Sequence, residues 1–165
     1  MDHLWSPWRL AYITGERTDT GCVFCRALSD PDAAPLVVFR GTTCFVILNL
    51  FPYNNGHLMV IPNRHIASLS AAAPEELSEL IDLTRRAELA LTEAYQPHGL
   101  NMGINIGKPA GAGILDHVHM HVVPRWNGDT NFMTVVGRTR VLAEELPATA
   151  DRLRPIFERL ATPTG

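Results

Sequence analysis

Three histidines alternate with apolar residues in the stretch Asp116, His117, Val118, His119, Met120, His121, Val122, Val123, Pro124. Successive side chains of an extended strand point to opposite faces, so this spacing predicts a strand over 117–123 with His117, His119 and His121 on one face. Val118, Met120 and Val122 then turn into the core. Neighbouring imidazoles would stand about 6.6 Å apart, from two residues of about 3.3 Å rise each, so one phosphate can meet two of them but hardly all three. An imidazole titrates near neutrality and can serve as neutral nucleophile, cationic stabiliser or proton donor, which suits phosphoryl chemistry. Two blander uses of the pattern stay open: a His-x-His pair also binds zinc, and a lone strand histidine is usually just exposed surface. Three in register make chance a poor explanation.

Cys22 and Cys25 form a second spacing with chemical meaning. Three cysteines are an odd number, and a Cys-x-x-Cys pair suits a metal or redox site better than a secreted disulfide framework. Cys44 lies in an apolar run and reads as a buried small hydrophobe.

The elements that must position these residues are legible around them. Residues 1–34 are punctuated by Pro7, Gly15, Gly21 and Pro31, so this loop-rich segment wraps a core made elsewhere, with Trp5, Trp8 and Tyr12 as anchors. Strand patterns cover 36–39, 44–48 and 57–61, the last after the turn-prone Pro52 to Gly56. Pro74, Glu75 and Glu76 open a helix whose apolar residues recur from Leu77 to Leu91 until Pro97 and Gly99 stop it. Two more strands are expected over 100–106 and 117–123, joined by a glycine-rich loop from Gly107 to Gly113. A short apolar stretch at 132–136 and a second helix over about 142–160, with a break before Pro155, complete the chain. The expected fold is α+β: an antiparallel sheet of about five strands with two helices on one face.

Length and composition agree with a single domain over 1–165: the chain has 165 residues, 46% apolar and 19% charged, enough to bury a core without disulfide staples. A net charge of −3 with scattered basic residues offers no stripe for a nucleic-acid polymer or an anionic membrane. No apolar run reaches the ~18 residues of a membrane span, and the start lacks a leader pattern, so a cytoplasmic protein is expected.

The run from His117 to Val123 resembles the His-φ-His-φ-His-φ-φ signature, φ being apolar, of the histidine-triad (HIT) superfamily of nucleotide hydrolases and transferases. Phe45 to Asn49, Pro52, Gly56 to Pro62, Arg64 and His65 follow that family's order and spacing, and the resemblance covers roughly 20–133. Leu4 to Arg9, Phe51 to Gly56 and Val123 to Phe132 look closer still to bacterial members that act as diadenosine-tetraphosphate phosphorylases. The resemblance implies that His119 attacks an α-phosphorus and becomes nucleotidylated. It implies that His121 contacts the phosphate and helps protonate the leaving group, while the backbone near His117 orients the nucleophile. Asn49 and His57 match positions on the ribose side. Asn105 and the loop Gly111, Ala112, Gly113 match the segment that contacts the α-phosphate, where small residues replace an expected hydroxyl and backbone N–H groups would have to serve. Asn49 read by itself is equally a strand-end cap. Lys108 and Arg125 are the cations nearest the histidine strand, for outer phosphates or for solvent.

The same resemblance implies a structural zinc held by Cys22, Cys25, His65 and His117, no cofactor needed for the chemistry, and a homodimer. The ligand is expected to be a small adenine nucleotide or dinucleoside polyphosphate. Its cleavage by phosphate or by water is the leading reading, beside an adenosine phosphoramidase and a nucleotide-binding module without turnover.

Overall fold

In a computed structural model, residues 21–30, 35–129 and 142–162 are described. Strands β1 (Val37–Arg40), β2 (Cys44–Leu48), β3 (Leu58–Pro62), β4 (Gly99–Ile104) and β5 (Met120–Arg125) pair antiparallel in the order β1-β2-β3-β5-β4. The expected α+β class and strand number hold. The expected wrapping by residues 1–20 and the apolar stretch at 132–136 lie outside the described residues.

Helices α1 (Val23–Ser29), α2 (Pro74–Tyr95) and α3 (Leu146–Ala161) make three among the described residues where two were expected. The addition is α1, inside the segment read as loop. Seven residues cannot sustain a helix in water by propensity, so this one is held by tertiary contacts. Phe24 and Ala27 are buried, and the Arg40 guanidinium donates to the Ala27 and Leu28 carbonyls at 2.8 and 3.0 Å, closing the C-terminal end.

Both central strands, β2 and β3, are buried along their whole length, and their alternation sorts residues between two layers. Cys44, Val46, Leu48, Leu58 and Val60 pack with Leu80, Leu83, Ala87 and Leu91 of α2 and with Leu153 and Phe157 of α3. Phe45, Ile47, Met59 and Ile61 face the other way, onto Phe24 and Ala27 of α1. Helices therefore cover both faces of the sheet rather than one.

Helix α2 begins at Pro74, as its sequence signal requires, and Glu76 reaches back to accept the Ala73 N–H at 2.7 Å. The same carboxylate accepts two hydrogen bonds from Arg64. Helix α3 runs through Pro155 without the expected break. Pro155 and Asp151 are both exposed, so the carbonyl left without its N–H partner faces water, while Leu153 and Phe157 anchor the buried side. Among the described residues no helix is long and apolar enough to cross a membrane.

A turn before β3 sets the start of the site. Gly56 has φ +76°, and a Cβ there would stand 3.0 Å from a Leu91 methyl, so only glycine fits. Asn54 ties this turn to β5 by donating to the Pro124 carbonyl at 3.0 Å and to Asp129 at 2.7 Å.

Candidate active site and metal cluster

The three histidines share one side of the sheet, as their spacing predicts, but only His121 belongs to a strand. β5 starts at Met120, not at His117. Residues 117–119 approach the segment after β3 instead: Val118 N–H donates to the Ile66 carbonyl at 2.7 Å. His117 and His119 are buried, and the His119 and His121 ring centroids are 4.8 Å apart.

Backbone partners fix the state of each ring, because a carbonyl can only accept and an amide can only donate. His119 Nδ1 lies 2.9 Å from the His117 carbonyl, so Nδ1 carries the proton and a neutral ring keeps its lone pair on Nε2. Tyr53 N–H donates to His57 Nδ1 at 3.1 Å, so the His57 proton is on Nε2. That Nε2 stands 2.9 Å from His121 Nδ1 and donates to it, which leaves the His121 proton on its own Nε2. A lone pair on His119 and an N–H on His121 therefore sit on adjacent rings.

Burial lowers the pKa of His117, His119 and His121, with His121 brought down to about 4 by burial and then by His119. All three are neutral at pH 7. A phosphate seated between His119 and His121 would meet a lone pair on one ring and a neutral N–H donor on the other.

At the other end of the row, His117 Nε2 donates to the Pro62 carbonyl at 2.8 Å, leaving its Nδ1 lone pair free to bind. That Nδ1 lies 3.3 Å from Cys22 Sγ and 3.7 Å from Cys25 Sγ, and His65 Nδ1 lies 3.3 Å from Cys25 Sγ. The four donor atoms fall within 4.8 Å of one another. A tetrahedral ion bound at about 2.0–2.3 Å gives donor separations of roughly 3.3–3.8 Å, so the set fits a metal with little movement. Burial and the Cys22 thiol raise the Cys25 pKa, so a cation supplies the charge that would make the pair thiolates. The four residues expected to bind metal are thus brought together.

The residues expected on the nucleotide are placed less uniformly. Asn49 Oδ1 accepts the Phe51 N–H at 2.9 Å, the strand-end cap, and its amide nitrogen stands 3.5 Å from His57 Nδ1. His57 is 0% exposed, so it stands behind His121 as its hydrogen-bond donor rather than against a ligand. Asn105 follows β4, with its amide beside Gly111. In the loop, Gly111 N–H donates to the Lys108 carbonyl and Ala112 N–H to the Gly107 carbonyl, so those two donors already serve the turn. Gly113 follows them in the same loop. Arg125 is committed to Asp129 at 2.7 Å and to Asn101 at 2.9 Å, while Lys108 is exposed on the loop.

Sequence reasoning missed two participants. Tyr53 acts through its backbone N–H, which no side-chain pattern reveals. Phe24 lies between the two cysteines, with its ring 5.5 Å from His117 and 5.1 Å from His119. The Cys-x-Phe-Cys order was a visible signal, since a buried aromatic between metal-spaced cysteines must pack against whatever they bind.

The HIT-domain family model matches residues 32–128. A protein of Mycobacterium tuberculosis (strain CDC 1551 / Oshkosh) named AP-4-A phosphorylase is 36% identical over 154 residues, 88% of this chain and 79% of its own. A Schizosaccharomyces pombe protein named bis(5′-nucleosyl)-tetraphosphatase (asymmetrical) is 32% identical over 93 residues, 56% of this chain and 50% of its own. Among solved structures, a Zn-bound histidine triad family protein from Mycobacterium smegmatis superposes with a TM-score of 0.69 at 31% identity, covering 85% of this chain and 95% of that one.

Proposed function

This chain belongs to the HIT-domain family, and we propose that it cleaves a dinucleoside polyphosphate, diadenosine tetraphosphate foremost, at the α-phosphorus through a nucleotidyl-histidine intermediate. The observation that carries this reading is the His119 lone pair: the Nδ1–H bond to the His117 carbonyl leaves the lone pair of a neutral nucleophile on Nε2, in a ring 4.8 Å from that of His121. Attack by Nε2 forms an N–P bond as the bridging P–O bond breaks, and ATP leaves as its anion, its new oxyanion stabilised by a hydrogen bond from the neutral His121 Nε2–H. His57 steadies that donor through Nδ1 of His121, and Tyr53 N–H steadies His57. Inorganic phosphate then attacks the adduct, returning ADP and the free His119 ring. Water in that position returns AMP instead. In this reading Asn49 serves the ribose and Asn105, beside Gly111, the phosphate.

The cluster of Cys22, Cys25, His65 and His117 fits zinc in a structural role, since two thiolates and two imidazoles close a tetrahedron and leave no open position for substrate. When bound, zinc supplies a cross-link between α1, the segment after β3 and the triad; chemistry at phosphorus stays with His119 and His121. The three free cysteines support a reducing, cytoplasmic setting. β4 is an edge strand, with Asn101, Met102 and Gly103 exposed along it, which supports a homodimer joined there.

Incubation with diadenosine tetraphosphate, with and without phosphate, tests the reaction. ADP plus ATP only in the presence of phosphate identifies a phosphorylase; AMP plus ATP in either condition identifies a hydrolase. No turnover of this or any adenine nucleotide identifies a binding module and ends the catalytic reading.

A further inference from the structure

Helix α1 brings three functional side chains to one place. Cys22 caps its N-terminus, Cys25 lies in its first turn, and Phe24 between them is 3% exposed, with its ring against His117 and His119. The C-terminal end of α1 is held by Arg40, whereas the N-terminal end meets the imidazoles of His65 and His117 through its two thiols. These ligands are far apart in sequence: Cys25 is 40 residues from His65 and 92 from His117. An ion joining them closes long loops and fixes a helix too short to hold itself.

The cluster reaches His119 by two routes. One is the His117 residue, whose ring offers Nδ1 to the cluster while its carbonyl accepts the His119 Nδ1–H. The other runs along α1 to Phe24, which walls the His119 ring. His57 and His121 are held separately, by the chain of hydrogen bonds that ends on Tyr53 N–H.

We propose that the cluster of two thiols and two imidazoles is a positioning device for the nucleophile, acting through the His117 carbonyl and through Phe24. A divalent cation in the cluster holds His119 in the Nδ1–H form with its Nε2 lone pair aimed at the site. Without the cation, α1 and residues 117–119 loosen, and the His119 ring samples both tautomers. Phe24 is a positioning residue, packing on the His119 ring. The catalytic consequence rests on His119 being the nucleophile, as proposed above; the ring state does not.

Long-range imidazole 15N–1H spectra of the full chain at one fixed pH, loaded with zinc ion and then stripped by chelation, read each tautomer directly without nucleotide. The expected result is a single Nδ1–H form of His119 with zinc and a several-fold rise of the Nε2–H form without it, while His57 and His121 keep their states. Phe24→Leu, with zinc still bound stoichiometrically, is expected to show the mixed His119 signal and to form the AMP adduct roughly 10- to 100-fold more slowly. An unchanged His119 signal in stripped protein, simultaneous loss of all three ring states, or failure of the chain to bind zinc overturns the proposal. A Phe24→Leu signal like that of the wild type removes Phe24 from the route and overturns that part. If the tautomers respond to zinc but no nucleotide forms an adduct, the positioning stands and the catalytic reading falls.

Discussion

The two faces of the sheet share the same strands and differ in what they bury. Under α2 and α3, fifteen buried apolar residues from Val38 to Phe157 form one continuous cluster among the described residues. Under α1 the buried apolar cluster has seven, from Phe24 to Ile61, and the rest of that side is given to His57, His117 and His119. Buried imidazoles hold their hydrogen bonds at a desolvation cost, which is why the pKa values of His117 and His119 fall, whereas a buried Leu or Phe stabilises outright. Alternation along β2, β3 and β5 therefore divides labour unevenly: one side is wholly apolar core, and the other shares a smaller apolar cluster with the site, because the groups that make the site reactive are those that weaken a core.

That division is tested first by removing the nucleophile. His119→Gln is expected to lower turnover by roughly 10⁴-fold or more while stability stays within about 1 kcal/mol, read by product formation and urea denaturation. Next comes the opposite face: Phe157→Ala, which empties a 0% exposed site stacked on Phe39, should cost about 3–5 kcal/mol in the same denaturation. The fraction that remains folded should keep its turnover number; a fall in both would show that the faces are not separable.

A smaller effect sharpens the chemical side. His57→Phe keeps a ring behind His121 but removes its hydrogen-bond donor, and should slow cleavage roughly 100-fold. The loss should shrink for a p-nitrophenyl ester of AMP, whose leaving group relies less on the His121 hydrogen bond. Equal losses on both substrates would assign His57 to packing.

The smallest effect is on pH and belongs to the structural side. Hydrogen bonds from the Arg64 guanidinium and then the Ala73 N–H hold the Glu76 carboxyl down from 4.5 to about 2. A depressed folded value contributes stability that is present above about 4.5 and is lost as pH falls toward 2. Denaturation midpoints over this window should fall less steeply in Glu76→Gln than in the wild type.

Much of this was legible in the chain because its signals are periodic. Cys44 to Leu48 and Leu58 to Pro62 read as strands and are strands; Pro74 with Glu75 and Glu76 opens a helix, as observed. The donor set Cys22, Cys25, His65 and His117 follows from the family's pattern and assembles in space. What escaped were features made by contacts remote in sequence. α1 exists because Arg40 caps it and Phe24 is buried, neither of which leaves a helical pattern in seven residues. β5 begins late because Val118 bonds to Ile66 instead of joining the ladder at His117. His57 looked like a ligand contact, yet it lies two residues before Met59, which pairs with His121, so the same period of two already put it on the side of His121.

The claim that His119 is the nucleophile is tested most directly by trapping the intermediate. Protein mixed with diadenosine tetraphosphate in the absence of phosphate, quenched at alkaline pH within the first turnover and digested, should yield one peptide heavier by an adenylyl group, with the modification on His119. An adduct on His117, on His121 or on no histidine during active turnover would contradict it.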